Sequence, residues 1–355
     1  MFHTAPLREL YLSRLREFYR QPARIFWVYG FPTILAILLG LAFRGGSAEN
    51  LTVDLVDGPG APHVVEALRQ FQAKGRLAGQ PEVRVRVVPA AEADRRLKTG
   101  KTPLVVAPET SGRVVYRYDP TRPEAVTARA IFDDAYQRAQ GRADRVEVAE
   151  ETKTEKGSRY IDFLIPGLIG VNTMGGGLFG IGFLLVNFRI AKLLKRFMAT
   201  PMPRRDFLLA VIGARLTFLV PDVGTLLLLG TLGFGMPIRG SLWTLAIVEV
   251  VGALAFSGIG LLVASRARTT ETVSGLMNLV MIPMWIFSGV FFASDHFPAW
   301  LQPLIHALPL TQLVGALRQI ILEGAGLLDV WRALAILSTW AVATFLLALR
   351  IFRWA

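Results

Sequence analysis

The sequence contains no cysteine and four histidines, and only 19% of its 355 residues are charged. Without cysteine there is no disulfide, no thiolate metal ligand and no Cys nucleophile. The histidines (His3, His63, His296 and His306) are scattered, no His-Glu-x-x-His occurs, and no acidic cluster flanks the external pair His296 and His306, so no metal site is expected. A complete phosphate-binding loop is also missing. Gly100-Lys101-Thr102 resembles the end of one, but position 95, where the pattern needs glycine, is Arg95, and the tripeptide precedes a strand instead of following one. Scarce charge and 52% hydrophobic content exclude an ordinary soluble enzyme.

What is present is a set of apolar blocks. A bilayer core of about 30 Å needs roughly 20 apolar residues in a helix. Six stretches suit it: Ile25–Phe43, Ile161–Val186, Phe207–Phe234, Leu242–Ala264, Thr272–Ala293 and Val330–Leu349. The third carries Arg215, Pro221 and Asp222 and is expected to bend or break. The first, with 24 residues before it, reads as a signal anchor rather than a cleaved signal peptide.

The net charge of +12 divides unevenly: residues 44–159 hold 20 Lys+Arg and 17 Asp+Glu (+3), and the remainder holds 19 and 10 (+9). The excess lies beside the apolar blocks, where it reports membrane orientation and not a nucleic-acid face. Arginines and lysines gather before the first span, between the second and third, at Arg266 and Arg268, and at Arg350 and Arg353, so both termini are expected in the cytoplasm and residues 44–159 outside.

That long segment takes up soluble patterning. Strands are expected at Leu51–Val56, Val83–Val88, Leu104–Ala107 and Val114–Tyr118, and helices at His63–Phe71, Ala91–Leu97 and Pro123–Gln140, together a small α+β domain. The predicted architecture is therefore an α-helical membrane protein. It comprises an amphipathic arm (residues 1–24), a first span (25–43), an external α+β domain (44–159) and a five-span unit (160–355) with external short helices over 294–329.

Two cytoplasmic segments are amphipathic. In the arm, Leu7, Leu10, Tyr11, Leu15, Phe18 and Tyr19 share a helical face beside Arg8, Arg14, Arg16 and Arg20, as in a helix lying in the headgroup plane. It is either a passive anchor or a moving part. Between the second and third spans, Ile190, Leu193, Leu194, Phe197 and Met198 form an apolar stripe flanked by Arg189, Lys192, Lys195 and Arg196, suited to docking on lipid or in a partner's groove.

Inside the spans, Arg215, Asp222 and Glu249 are functional candidates, with Asp222 about 22 Å deep at 1.5 Å per residue and Glu249 at a similar depth. They are either a proton or cation relay, or an Arg215–carboxylate tie or groups facing a polar vestibule. The glycine-rich second span holds Gly175, Gly176 and Gly177, a hinge candidate, and Gly176 with Gly180 has the spacing of close helix contacts. Met277, Met281 and Met284, with Asn278 and Trp285, either line an apolar cavity or simply pack.

One series of motifs resembles the ABC-2 type permease family. It includes Lys192-Leu193-Leu194-Lys195-Arg196-Phe197-Met198-Ala199-Thr200-Pro201, then Arg204-Arg205, and Ile286-Phe287-Ser288-Gly289-Val290-Phe291-Phe292. Phe297-Pro298-Ala299-Trp300-Leu301, Leu308-Pro309-Leu310-Thr311 and Ala316-Leu317-Arg318-Gln319-Ile320 complete it. The resemblance implies a permease subunit of an ATP-driven exporter in the cytoplasmic (inner) membrane, paired with a second permease subunit. It implies two separate ATPase subunits that hold ATP and Mg, with no cofactor on this chain, and an amphiphilic substrate such as a lipid, glycolipid or drug-like molecule. It also implies that 187–205 is the coupling region, with Arg204 and Arg205 part of it, and that the second and fifth spans (Gly175–Gly177, Met277, Asn278, Met281, Trp285) line the path. Many relatives carry an acid just before the coupling helix, where this chain has Asn187-Phe188-Arg189. The alternatives are a membrane-anchored binding or signalling module and a proton-coupled secondary transporter.

Overall fold

The computed structural model describes residues 4–42, 51–73, 82–109, 113–142, 159–199, 204–291, 294 and 297–351. The chain forms two compact units, Gly45–Lys153 and the remainder (Met1–Arg44 with Thr154–Ala355).

In the first-described unit, strands β1 (Leu51–Val56), β2 (Val83–Val88), β3 (Val105–Pro108) and β4 (Val114–Arg117) form one sheet of order β2-β1-β3-β4. Helices α4 (Ala61–Ala73), α5 (Ala90–Lys98) and α6 (Pro123–Ala139) accompany it. β1 pairs in parallel with both β2 and β3, and only β3–β4 is antiparallel. The expected unit of strands and helices thus has a mixed, mostly parallel sheet, because helices in the β1–β2 and β2–β3 connections carry the chain back to the same end of the sheet. Val53 and Leu55 pack with α4 and α6, around the buried Phe132. Alternation turns Asp54 to the opposite face, where it is buried and paired with Arg96 at 2.6 Å. Gly100-Lys101-Thr102 is a helix stop: Gly100 takes φ 71°, and the Lys101 N–H reaches back to the Arg96 carbonyl at 2.9 Å.

The second unit is helical: α1 (Thr4–Tyr19), α2 (Pro22–Ile25), α3 (Phe31–Ala42), α7 (Tyr160–Ile190), α8 (Leu193–Met198), α9 (Arg204–Leu228), α10 (Leu242–Ala264), α11 (Thr270–Phe287), α12 (Gln302–Ala307), α13 (Pro309–Arg318) and α14 (Trp331–Ile351). Ser241 and Thr269 cap α10 and α11 by accepting the Trp243 and Thr272 N–H groups, each at 3.2 Å. Among the described residues, four helices are long and apolar enough to cross a membrane: Tyr160–Ile190, Leu209–Gly233, Leu242–Ala264 and Trp331–Ile351. The expected first span is a shorter apolar helix, Phe26–Leu41, with a π-helical turn at Phe26–Gly30. The expected fifth ends at Phe287 as an 18-residue helix, and residues 292–293 at its predicted end, like His296, lie outside the described set.

The third span does not break: α9 runs through Pro221, which removes one backbone hydrogen bond, while packing against α1 and α7 holds the helix. The segments expected as short helices over 294–329 divide: Trp300 and Leu304 of the first are exposed, and the second packs into the core. Ala299–Ala307 and Pro309–Glu323 form an apolar pair bent by 85°, and Leu310, Leu313, Val314, Leu317, Ile320 and Ile321 are fully buried against α7, α10 and α14. Arg318 locks this pair, donating to the carbonyls of Phe163 at 3.1 Å and Gly289 at 2.7 Å, with its guanidinium 3.4 Å above the Phe163 ring. α7 and α10 approach closely at Gly177 and Gly260, where an added Cβ on Gly260 would lie 2.7 Å from the Gly177 carbonyl oxygen.

Candidate functional site

Four of the buried polar residues in the helical unit, Arg215, Asp222, Thr173 and Glu249, belong to one network. The guanidinium of Arg215 (α9) donates from Nη1 to Asp222 Oδ2 at 2.6 Å and from Nη2 to the Thr173 carbonyl of α7 at 3.4 Å. The Thr173 hydroxyl donates in turn to Glu249 Oε2 of α10 at 2.7 Å. Arg215 and Asp222 are seven residues apart, two helical turns, which stacks them on one face. The guanidinium rests on Gly176, where any Cβ would overlap it. The triple glycine is thus part of a continuous helix, and Gly176 is the seat of an arginine rather than half of a helix-contact pair with Gly180. Thr173, the hinge of the network, was missed from the sequence, since a lone threonine two residues before the glycines carries no signal.

Arg215 and Asp222 form part of the wall of a cavity of about 440 Å³. α7 contributes Asn172, Gly175, Gly176, Phe179, Gly180, Phe183 and Asn187, α9 adds Phe218, and α1 and its neighbour close it with Arg14, Phe18 and Trp27. An added Cβ at Gly175 or Gly180 would meet nothing within 4 Å, so both open into the space. The wall is therefore aromatic with a few polar and charged points, an arrangement that accepts an apolar body and a polar head. Asp222 Oδ1 and Arg215 Nε are buried, with the Tyr29 hydroxyl beside the Asp222 carboxylate.

The arm reaches the cavity because α1 packs on α9 instead of presenting a free apolar face. Phe18 is buried with its ring 4.2 Å from that of Phe218, Tyr11 and Thr217 share a hydroxyl hydrogen bond at 2.7 Å, and Tyr19 remains exposed. Arg14 lies 4.2 Å over the Phe188 ring and pairs with Glu17 at 2.7 Å.

The fifth-span candidates are not brought to this cavity. Met277 is fully buried against Gly182, Met281 is half-buried, and Asn278 and Trp285 face outward. Met277 is therefore a packing residue, because the missing side chain at Gly182 leaves a socket for its methyl.

The predicted coupling stripe is also rearranged. α7 ends at Ile190, Lys192 takes a left-handed φ of 54°, and α8 starts afresh at Leu193. This break puts Ile190 out of phase: it is 53% exposed, whereas Leu194 is 2% exposed in the chain's own cluster with Phe188, Phe207 and Ala264. Leu193 is half-buried beside it, and the side chains of Phe197, Met198, Arg204 and Arg205 lie outside the described set. The outward surface of the turn is Ile190, Lys192, Lys195 and Arg196. Arg189, standing where an acid was expected, donates to the Ala264 carbonyl at 3.0 Å and the Ser265 carbonyl at 3.1 Å, and also to that of Ala267. A cation on the last carbonyls of α10 is the favourable sign for a helix C-terminus.

Residues 23–350 match the family described as "ABC-2 family transporter protein". The chain is 28% identical over 54% of its length to ABC transporter G family member 20 of Dictyostelium discoideum, and 25% identical over 46% to the inner membrane transport permease YadH of Escherichia coli. It is 32% identical over 27% of its length to the linearmycin resistance permease protein LnrN of Bacillus subtilis. These matches span 26%, 63% and 25% of the respective relatives' lengths.

Proposed function

The chain belongs to the ABC-2 transporter family, and we propose that within it this chain is the membrane-spanning subunit of an ATP-driven exporter of amphiphilic molecules. The family and the long apolar helices make it a multi-pass membrane permease. The substrate class rests on one observation: a cavity of about 440 Å³ whose aromatic wall is interrupted by the Arg215–Asp222 pair. The name of the B. subtilis relative, a resistance permease, supports outward movement.

ATP and Mg would reside on a separate pair of ATPase subunits, with a second permease subunit completing the path. The turn around Lys192 presents an exposed cationic surface to such a partner, and its inner face, through Leu194, Phe188 and Arg189, grips α7 and α10. A push on that turn is thereby delivered to the helices that carry Thr173 and Glu249. Closure of Asp222 onto Arg215 neutralises both charges inside the chain, which favours an ATP-driven cycle over a proton relay.

Six crossings remain the proposed topology, made by the first apolar helix, α7, α9, α10, α11 and α14, with the bent pair entering and leaving on one side. Both termini are then cytoplasmic and Gly45–Lys153 external, in an inner membrane. In a chain without cysteine, single cysteines at the exposed Lys101 and Lys195 should label oppositely, the first in intact cells and the second only after permeabilisation. Labelling of position 195 from outside reverses the orientation.

Gly175→Phe tests the cavity. The new ring has room to enter it, so the protein should remain folded and bound to its ATPase. ATP-dependent movement of a fluorescent lipid in proteoliposomes should fall by about tenfold or more, the loss expected when about 1.4 kcal/mol of binding is removed. Unaltered transport by Gly175→Phe places the substrate elsewhere.

A further inference from the structure

The Gly45–Lys153 unit contains a cleft of its own, of about 510 Å³, which the permease reading does not use. It opens between the start of α4 (His63, Val64), the β3–β4 hairpin (Val114, Tyr116) and α6 (Asp133, Tyr136). Its aromatic walls are held rigidly from behind by Phe132, which is fully buried. Tyr116 meets the Phe132 ring edge-on at 5.8 Å and 77°, and Tyr136 stacks on it at 6.1 Å and 17°. The Tyr116 hydroxyl donates to Asp133 Oδ1 at 3.0 Å. Burial, and after it this hydrogen bond, raise the Tyr116 pKa well above the ordinary phenol value, so the phenol keeps its proton. At one end Gln140 Nε2 and His63 Nε2 lie 3.3 Å apart and tie α6 to α4.

The charges of this cleft are asymmetric. Two carboxylates, Asp133 and Glu109, line it, and among its described lining residues the sole Lys or Arg is Arg113, exposed beside Glu109 at the mouth. Arg129 lies one turn before Asp133 on α6, exposed and outside the lining. A half-buried carboxylate between two aromatic side chains, in a space of ligand size, is the combination that selects a cation: the carboxylate supplies charge and the ring faces add cation–π attraction.

We propose that this cleft is a binding site for an organic cation, a protonated amine on a compact apolar body, with its ammonium at Asp133 and its body against Tyr116 and Tyr136. The site is built within one unit and stands independently of ATPase coupling. Its test uses the full chain in nanodiscs, with empty nanodiscs subtracted. The probes are 2-phenylethylammonium, the neutral 2-phenylethanol and the anionic 3-phenylpropionate, followed by calorimetry and saturation-transfer NMR. The amine should bind saturably at about 1 mM or tighter, and about tenfold or more better than the alcohol or the acid. Asp133→Asn, which keeps an acceptor for Tyr116, should weaken it by about tenfold or more. Gln137→Lys, on the exposed rim one turn from Asp133, should do the same by placing a cation of the chain's own at the carboxylate, without touching the packed floor. Absence of saturable amine binding, equal binding of the alcohol, or amine affinity unchanged in both variants overturns the proposal.

Discussion

Arg215→Met should leave little folded protein, at a cost of about 3–5 kcal/mol, the loss expected when one partner of a buried ion pair is removed. Arg215 is 8% and Asp222 2% exposed, so the orphaned Asp222 carboxylate has no water to turn to. The second variant makes the cause visible. Arg215→Met with Asp222→Leu removes both charges together and should recover most of the monodisperse, detergent-extracted protein, because an apolar replacement for a whole buried pair is often neutral. Thermal unfolding of the two purified variants checks this. If the double variant is no better than the single one, the Arg215–Thr173 contact and the seat on Gly176 carry the stability, and the ion pair does not. In either outcome the network's connection through Thr173 to Glu249 predicts that Thr173→Val disturbs α10 as well as α7.

Leu194→Ala is expected to destabilise the chain itself by about 2–5 kcal/mol, the usual range for a buried leucine. From the sequence, Leu194 was a docking residue, whose replacement would spare folding and release the ATPase. Its 2% exposure among Phe188, Phe207 and Ala264 reverses that expectation. The docking surface is tested instead by the triple replacement Ile190→Ser, Lys195→Glu and Arg196→Glu, all outward-facing. Melting temperature and membrane abundance should stay near the parent's, while co-purification of the ATPase subunit and ATP-dependent transport are lost. Retained ATPase binding in the triple variant moves the coupling surface away from this turn. A Leu194→Ala protein as stable as the parent removes the argument that this turn grips α7 and α10.

Much of the local structure was legible. Val83–Val88 was read at its observed bounds, and α6 within a residue, because alternation and amphipathic period are properties of neighbouring residues. The apolar length of α7, α10 and α14 likewise needs no partner to be counted. The coupling stripe was misread for an equally local reason: a single left-handed residue, Lys192, shifts the phase of everything after it, and no periodicity reports that in advance. The burial of Pro309–Glu323 was not legible because prolines at 298, 303 and 309 and short helices look like an exposed connection, while burial depends on what surrounds them.

By itself, then, the sequence determined the membrane class, the long helices, the strands and the residues able to carry buried charge. Tertiary structure alone decided which of those charges meet. Arg215 reaches Asp222 within one helix, which spacing reveals, but Thr173 meets Glu249 across 76 residues of chain, and Arg318 meets Phe163 across 155. It also decided that Gly182 receives Met277, that Gly176 receives a guanidinium and that Gly175 receives nothing. Helix period and apolar length are sums over adjacent residues and survive in any surroundings. The identity of a contact depends on how two helices are rotated and set against each other, and that is fixed only when all the side chains between them are packed at once.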